Sequence, residues 1–191
     1  MAIDRRQLIV DAATKSFSLF GYKATTMDQV AKLANVGKGT IYTFFSNKEE
    51  LLEEIASRLI KEMKAAAEET MEDHLSFYEN VNRALARLME FRKEHQLTIK
   101  LFQEEKEMGT QAVMDVMMKI ESAIIHYIKE KVETAMDKGE IKVCNPEITA
   151  FVMFKLYIAL NIDWEKQHSS LSKDEISHLF ELYLFTGLSK Q

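Results

Sequence analysis

The residues of this chain best suited to chemistry lie between Thr25 and Leu51, where the sequence reads TTMDQVAKLANVGKGTIYTFFSNKEEL. The polar side chains of interest are hydroxyls, a phenol and ammonium groups, on Thr26, Lys38, Thr40, Tyr42, Thr43 and Lys48, with Gly39 among them. Such groups donate hydrogen bonds to phosphate oxygens and base edges, and a glycine lets a backbone come close. No set of residues elsewhere offers catalysis. His74, His95, His126, His168 and His178 form no close pair at metal-ligand spacing, and neither an HExxH motif nor a cysteine cluster occurs. The lone Cys144 reads as a loop residue beside Lys142 and Val143, with a thiol redox sensor left open. The acidic run Glu104, Glu105, Glu107 reads as a solvated helix face. No catalytic residue, cofactor or metal site is expected, and the chain is not read as an enzyme.

Recognition groups need rigid elements to carry them, and capping signals mark those elements out. One proline and six glycines in 191 residues leave few turns, so the expected fold is all-α, with about nine helices. Asp4 with Gln7 caps a first helix with the stripe Ile9, Ala13, Phe17, Phe20; Gly21 stands where a left-handed C-terminal cap would sit. Thr26 with Gln29 caps a short second helix, and Lys38 to Phe44 makes a short third. Ser46 with Glu49, or Asn47 with Glu50, caps a fourth that runs through about Ala67. Five more are expected over about 74–93, 96–107, 110–137, 146–166 and 173–188. Gly109 and Gly139 act as stops, Asn145-Pro146 as a start, and Ser172 with Glu175 as a cap.

The second and third helices fit a helix-turn-helix. Two short helices that cross steeply need a small residue at the crossing, which is Ala31, and a sharp turn four residues later, where Asn35 can adopt a left-handed conformation. Val36, Ile41 and Phe44 then serve as apolar anchors. In that geometry the helix at 38–44 enters a major groove. Lys38, Gly39, Thr40 and Thr43 would face base edges, Tyr42 would reach a phosphate or else pack as a core aromatic, and Lys48 would hold another phosphate. Phe44 and Phe45 read as packing, and Lys23 and Lys32 as solvated.

The run from Thr26 through Glu49, with Phe17, Phe20, Gly21 and Tyr22 just upstream, resembles the DNA-binding signature of TetR-family transcriptional regulators. One departure is Gly37, where many members carry a serine. The resemblance implies a three-helix DNA-binding head over 1–48 and a larger helical ligand-binding and dimerisation body over 49–191. It also implies that Thr26 contacts a phosphate besides capping its helix.

For the body, the resemblance implies pairing through the last two helices. The interface would use Tyr157, Ile176, Leu179, Phe180, Tyr183, Leu184 and Gly187; burial within one subunit is the other reading. A small, apolar effector would sit among Met63, Phe77, Leu88, Phe102, Met117, Ile124, Phe151, Phe154 and Asn161, which at helical spacing can equally be plain core. Repression, release from DNA by the effector, and a pseudo-palindromic operator are what the family implies.

The charge pattern agrees. The net charge is −5, yet residues 1–48 hold seven Lys/Arg against three Asp/Glu, and residues 49–191 hold 18 against 27. A basic end on an acidic body binds DNA locally while the body is repelled. No apolar run suits a membrane span or a signal peptide, so a cytoplasmic location and no membrane partner are expected. The expected partners are a double-stranded DNA operator, a second copy of the chain and a small-molecule effector. The competing reading is a helical protein-interaction module without sequence-specific DNA binding.

Overall fold

The computed structural model describes residues 4–188, apart from the side chain of Glu94. Every regular element among them is helical. In order they are α1 (Arg5–Phe20), α2 (Met27–Leu33), α3 (Lys38–Phe44), α4 (Lys48–Glu68), α5 (Phe77–Glu94), α6 (Gln96–Met108), α7 (Gln111–Asp137), α8 (Pro146–Ile158) and α9 (Lys173–Phe180). Beyond Ile158 the helix loosens into π turns over Ala159–Asp163 and a 3-10 turn over Trp164–Lys166. Beyond Phe180, π turns over Glu181–Phe185 precede a last turn, Thr186–Leu188. None of the described helices is long and apolar enough to cross a membrane.

The caps explain most boundaries. Asp4 Oδ1 accepts from Gln7 N at 3.1 Å, and Asn145 Oδ1 from Ile148 N at 3.0 Å. Thr26 and Ser172 make reciprocal capping boxes with Gln29 and Glu175. Of the two readings for α4, Asn47 is the cap, accepting from Glu50 N at 2.7 Å. Helix α5 starts at Phe77 rather than near His74, because Ser76 and Glu79 cap it there.

The chain divides into two compact units, cut differently from the expected functional division at residue 48. The first unit holds the described residues up to Lys61 together with Arg92–Ile120. In it α1 packs on α2 and α6, and α2 on α3. Ile9, Ala13 and Phe17 of α1 are buried, as are Val30, Ala31, Ile41, Phe45, Leu51, Leu52, Leu97, Leu101, Val113 and Val116. Burying a side chain of the size of Ile9 or Phe17 contributes about 1.5–3 kcal/mol. Phe20, expected to extend the α1 stripe, is instead 65 % exposed, because the chain leaves the helix at the next residue. The carboxylate of Glu54 on α4 bridges Arg6 of α1 and Arg58, at 2.8 and 2.9 Å, and these guanidiniums hold its pKa at about 2, below the usual 4.5.

The second unit comprises Glu62–Phe91 and the described residues from Glu121 onward. Its core joins Phe77, Val81, Leu85 and Met89, one turn apart on α5, to Val132, Ala135, Met153, Ile176, Phe180 and Phe185. Cys144 lies half-buried against this core, its Sγ 3.7 Å from Met136 Sδ. One expectation for a paired surface needs correction. Ile176 and Phe180 are each only 1 % exposed in the single chain, because they form the inward stripe of α9. Helix α8 turns Thr149, Ala150, Met153 and Phe154 inward and leaves Ile148, Phe151 and Val152 exposed.

Candidate nucleic-acid interface

The turn between α2 and α3 sets the angle at which α3 is offered. Asn35 has φ 53°, the left-handed region, and Val36 N donates to Ala31 O while Asn35 N donates to Lys32 O, at 3.0 and 3.1 Å. These two bonds make a Schellman closure of α2, with asparagine in the place glycine usually takes. Ala31 is buried at the crossing. Helix α3 then starts at Gly37, whose carbonyl accepts from Thr40 N and Ile41 N but which supplies no side-chain cap.

Ile41 and Phe45, four residues apart, are the anchors that bury α3. Phe44, expected as an anchor, is instead exposed. That arrangement turns Lys38, Gly39, Tyr42 and Thr43 outward, with Thr40 half-buried at their edge. Tyr42 is 46 % exposed, which removes its reading as a core aromatic. Lys38 Nζ is paired with Asp28 Oδ2 of α2 at 2.8 Å, and this bond raises its pKa. Thr43 Oγ1 donates back to Thr40 O at 2.7 Å. Thr26, at the α2 start, is exposed beside its capping partner Gln29. A Cβ added at Gly39 would meet nothing within 4 Å. The protein itself therefore does not require that glycine, which costs a helix interior about 1 kcal/mol relative to alanine.

Lys48 is placed otherwise than a free phosphate ligand. Its ammonium donates to Tyr22 O and Thr25 O, each at 2.8 Å, and lies 4.1 Å from the centre of the Tyr22 ring. Burial lowers its pKa. Two of its three donors are thus committed to the turn between α1 and α2. Tyr22 packs edge-on against Phe17, with ring centres 5.4 Å apart, and its hydroxyl donates to Glu49 Oε1 at 2.8 Å. Burial, and then that bond, raise the Tyr22 pKa, while the same bond lowers that of Glu49.

The residue missed by reading the sequence is Glu104. It is not part of a solvated face but 5 % exposed, and its carboxylate accepts from Tyr22 N at 2.7 Å and Lys23 N at 2.9 Å. The signal was present: Leu97, Leu101 and Glu104 stand at i, i+4 and i+7, so this glutamate occupies a core position of α6. Gly21 makes room for it. It is the C-cap of α1 as expected, but with φ 86° and ψ 162° rather than left-handed helical angles, a positive φ that favours glycine, and a Cβ there would stand 2.8 Å from Glu104 Oε2.

A helix-turn-helix that presents hydroxyls, a phenol and a lysine on one exposed helix matches a known pattern. Residues 9–55 match the family model described as bacterial regulatory proteins, tetR family. The chain is 64 % identical over 189 residues, 99 % of both proteins, to the Bacillus subtilis (strain 168) HTH-type transcriptional regulator YhgD. The chain belongs to the tetR family. It is thus a helix-turn-helix transcriptional regulator, in line with the resemblance seen in its sequence. Solved TetR-family folds are similar over nearly the whole length. The transcriptional regulator FadR from Bacillus subtilis, solved with stearoyl-CoA, is 18 % identical with a TM-score of 0.75, covering 91 % of this chain and 96 % of that one. SmeT, solved with triclosan, is 17 % identical with a TM-score of 0.77, covering 99 % and 93 %.

The residues expected to hold an effector fall in both units. Phe102 and Met117 belong to the first, where both are partly buried. In the second unit Phe77, Phe154 and Asn161 are buried, and Met63, Leu88 and Ile124 are partly so. Phe151 is 47 % exposed with the Lys155 ammonium 5.4 Å from its ring centre, so it does not line an interior. Among the described residues no group of three His, Cys, Asp or Glu could hold a metal.

Proposed function

We propose that this TetR-family regulator is a ligand-responsive repressor of the cytoplasm. It binds a pseudo-palindromic double-stranded DNA operator as a homodimer and leaves it when a small effector binds. Residues 1–48 read DNA, and 49–191 carry the effector and the twin. The observation that supports this most is Gly39, a helical glycine with open space where its side chain would be. On a groove-reading helix that space admits a base edge or a sugar-phosphate backbone. Around it Lys38, Thr40 and Thr43 face bases, Tyr42 and Thr26 hold phosphates, and the remaining donor of Lys48 can hold a third.

Two features of the second unit favour an effector and a twin. Tyr78 Oη and Asn82 Oδ1, one turn apart on α5, are buried without a hydrogen-bond partner. Each such atom costs about 1–3 kcal/mol, which a ligand bearing one hydroxyl or amide on an apolar body would offset. Phe77 and Phe185, whose rings lie against that of Tyr78, supply apolar wall. SmeT solved with triclosan and FadR solved with stearoyl-CoA are two other proteins of this fold with a small molecule bound. For pairing, Ile148, Phe151 and Val152 on α8 and Leu182 and Tyr183 after α9 are exposed apolar side chains, and Leu179, Leu184, Tyr157 and Gly187 lie beside them in sequence. At Gly187 an added Cβ would also meet nothing, which suits a close approach.

Selection of duplexes from a random pool tests the reading, with Tyr42→Ala run in parallel. Enrichment of a pseudo-palindrome with half-sites about one duplex turn apart, weakened in the variant, is expected. Absence of any enriched sequence at low salt, after refolding to strip bound ligand, would overturn it in favour of a protein-interaction module.

A further inference from the structure

A carboxylate at a core position of a helix needs a reason to be there. Glu104 lies in line with buried Leu97 and Leu101, and an unpaired charge at such a place is strongly unfavourable. Its charge is met by the backbone of another element. Oε2 accepts from Tyr22 N at 2.7 Å, and Oε1 accepts from Lys23 N at 2.9 Å and from Thr110 Oγ1 at 3.3 Å. Two successive amides on one carboxylate form an anion-binding concavity, here filled by the protein's own side chain.

The same short segment is gripped from its carbonyl side by the Lys48 ammonium, on Tyr22 O and Thr25 O. Thr25 Oγ1 donates to Gly21 O at 2.9 Å and pairs with Ser16 Oγ at 3.0 Å. The turn that delivers the chain into α2 is therefore held by a negative charge on α6 and a positive charge on α4. Gly21 is the residue that lets the carboxylate approach.

We infer that Glu104 is a positioning residue for DNA reading: it fixes the Gly21–Thr25 turn to α6, and through that turn sets where α2 and α3 are presented. This rests on the reading of α3 as the DNA-contacting helix of a homodimer. In a homodimer, the way each head is presented affects how well the two heads meet two half-sites.

The test uses the full-length protein, the duplex selected by the wild type, and the same duplex with its spacer lengthened or shortened by one base pair. Glu104→Gln keeps the shape and one acceptor, and Glu104→Leu extends the apolar stripe. Both variants are checked for folding by circular dichroism. We expect affinity for the native spacing to fall about tenfold in Glu104→Leu and less in Glu104→Gln. The preference for native over altered spacing should shrink, while the slope of log affinity against log salt stays as in the wild type, because the phosphate contacts remain. Equal weakening at all spacings would mean that Glu104 only stabilises the fold, and unchanged affinity would mean that it does nothing for reading; either overturns the inference. Amide exchange in the wild type adds a measurement that needs no variant: the Tyr22 and Lys23 amides should be protected, and rapid exchange of both would overturn the clamp. A wild type that selects no duplex would instead count against the DNA reading itself.

Discussion

The two units differ in how they satisfy their buried polar groups. In the first, charges that could have been left over are used inward: Glu104 and Lys48 hold one turn, and Arg6, Glu54 and Arg58 tie α1 to α4. What remains outward on α3 is mostly polar, with Lys38, Tyr42 and Thr43 around Gly39, and suits a hydrated, charged partner. In the second, Tyr78 Oη and Asn82 Oδ1 are buried without partners, and Ile148, Leu182 and Tyr183 stay uncovered at 61, 53 and 68 % exposure. An exposed apolar face and unpaired buried atoms are features that a second copy and a ligand would complete.

The largest effect should come from placing charge on the uncovered apolar residues. Leu182→Asp combined with Tyr183→Asp should leave the helical content unchanged and turn the proposed dimer into a monomer by sedimentation. Operator affinity should then fall at least a hundredfold, since one half-site is bound alone, equivalent to about 3 kcal/mol. A dimer persisting in this variant would place the pairing surface elsewhere and weaken the contrast between the units.

An intermediate effect concerns the first unit and pH. The Glu54 pKa is lowered to about 2 in the folded chain against 4.5 for the free group, so its contribution is present above pH 4.5 and is lost as pH falls from there towards 2. Since the site is partly exposed, that contribution should be about 1 kcal/mol rather than the full equivalent of the shift. Urea unfolding of the wild type and of Glu54→Gln should differ by this amount at pH 6 and converge as pH falls. A constant difference across that range would show that the two guanidinium bonds are not what the carboxylate contributes.

The smallest effect belongs to the second unit. Tyr78→Phe removes a hydroxyl that has no partner, so the stability of the ligand-free protein should change by less than about 0.5 kcal/mol or rise. A loss of more than about 1 kcal/mol in thermal or urea unfolding would show that the hydroxyl is already satisfied, and the case for a polar group on the effector would go with it.

The contrast also explains what could be read from the sequence. Caps and turns are local, so Asp4, Thr26, Asn35, Asn145 and Ser172 marked their helices correctly, and the helix-turn-helix followed. The face of α3 was legible because few residue types suit both a groove and a buried anchor, although Phe45 rather than Phe44 proved to be the second anchor. Charges that act at long range were not. Glu104 meets amides some 80 residues away, and only its place in an apolar stripe hinted at burial. In the body, Ile176 was read as interface and Phe151 as pocket, with plain core as the other reading of each, because an apolar residue at helical spacing does not say which neighbour covers it. Packing alone settled that Ile176 faces in and Phe151 faces out.

The central claim is that the outer face of α3 is shaped by a partner and not by the fold, and Gly39→Ala tests it most directly, with unfolding free energy and affinity for the selected duplex measured on the same preparation. Opposite signs are expected: stability rises by up to about 1 kcal/mol, because a helical glycine is replaced in open space, while operator affinity falls about tenfold. Unchanged affinity, or stability and affinity falling together, would contradict it.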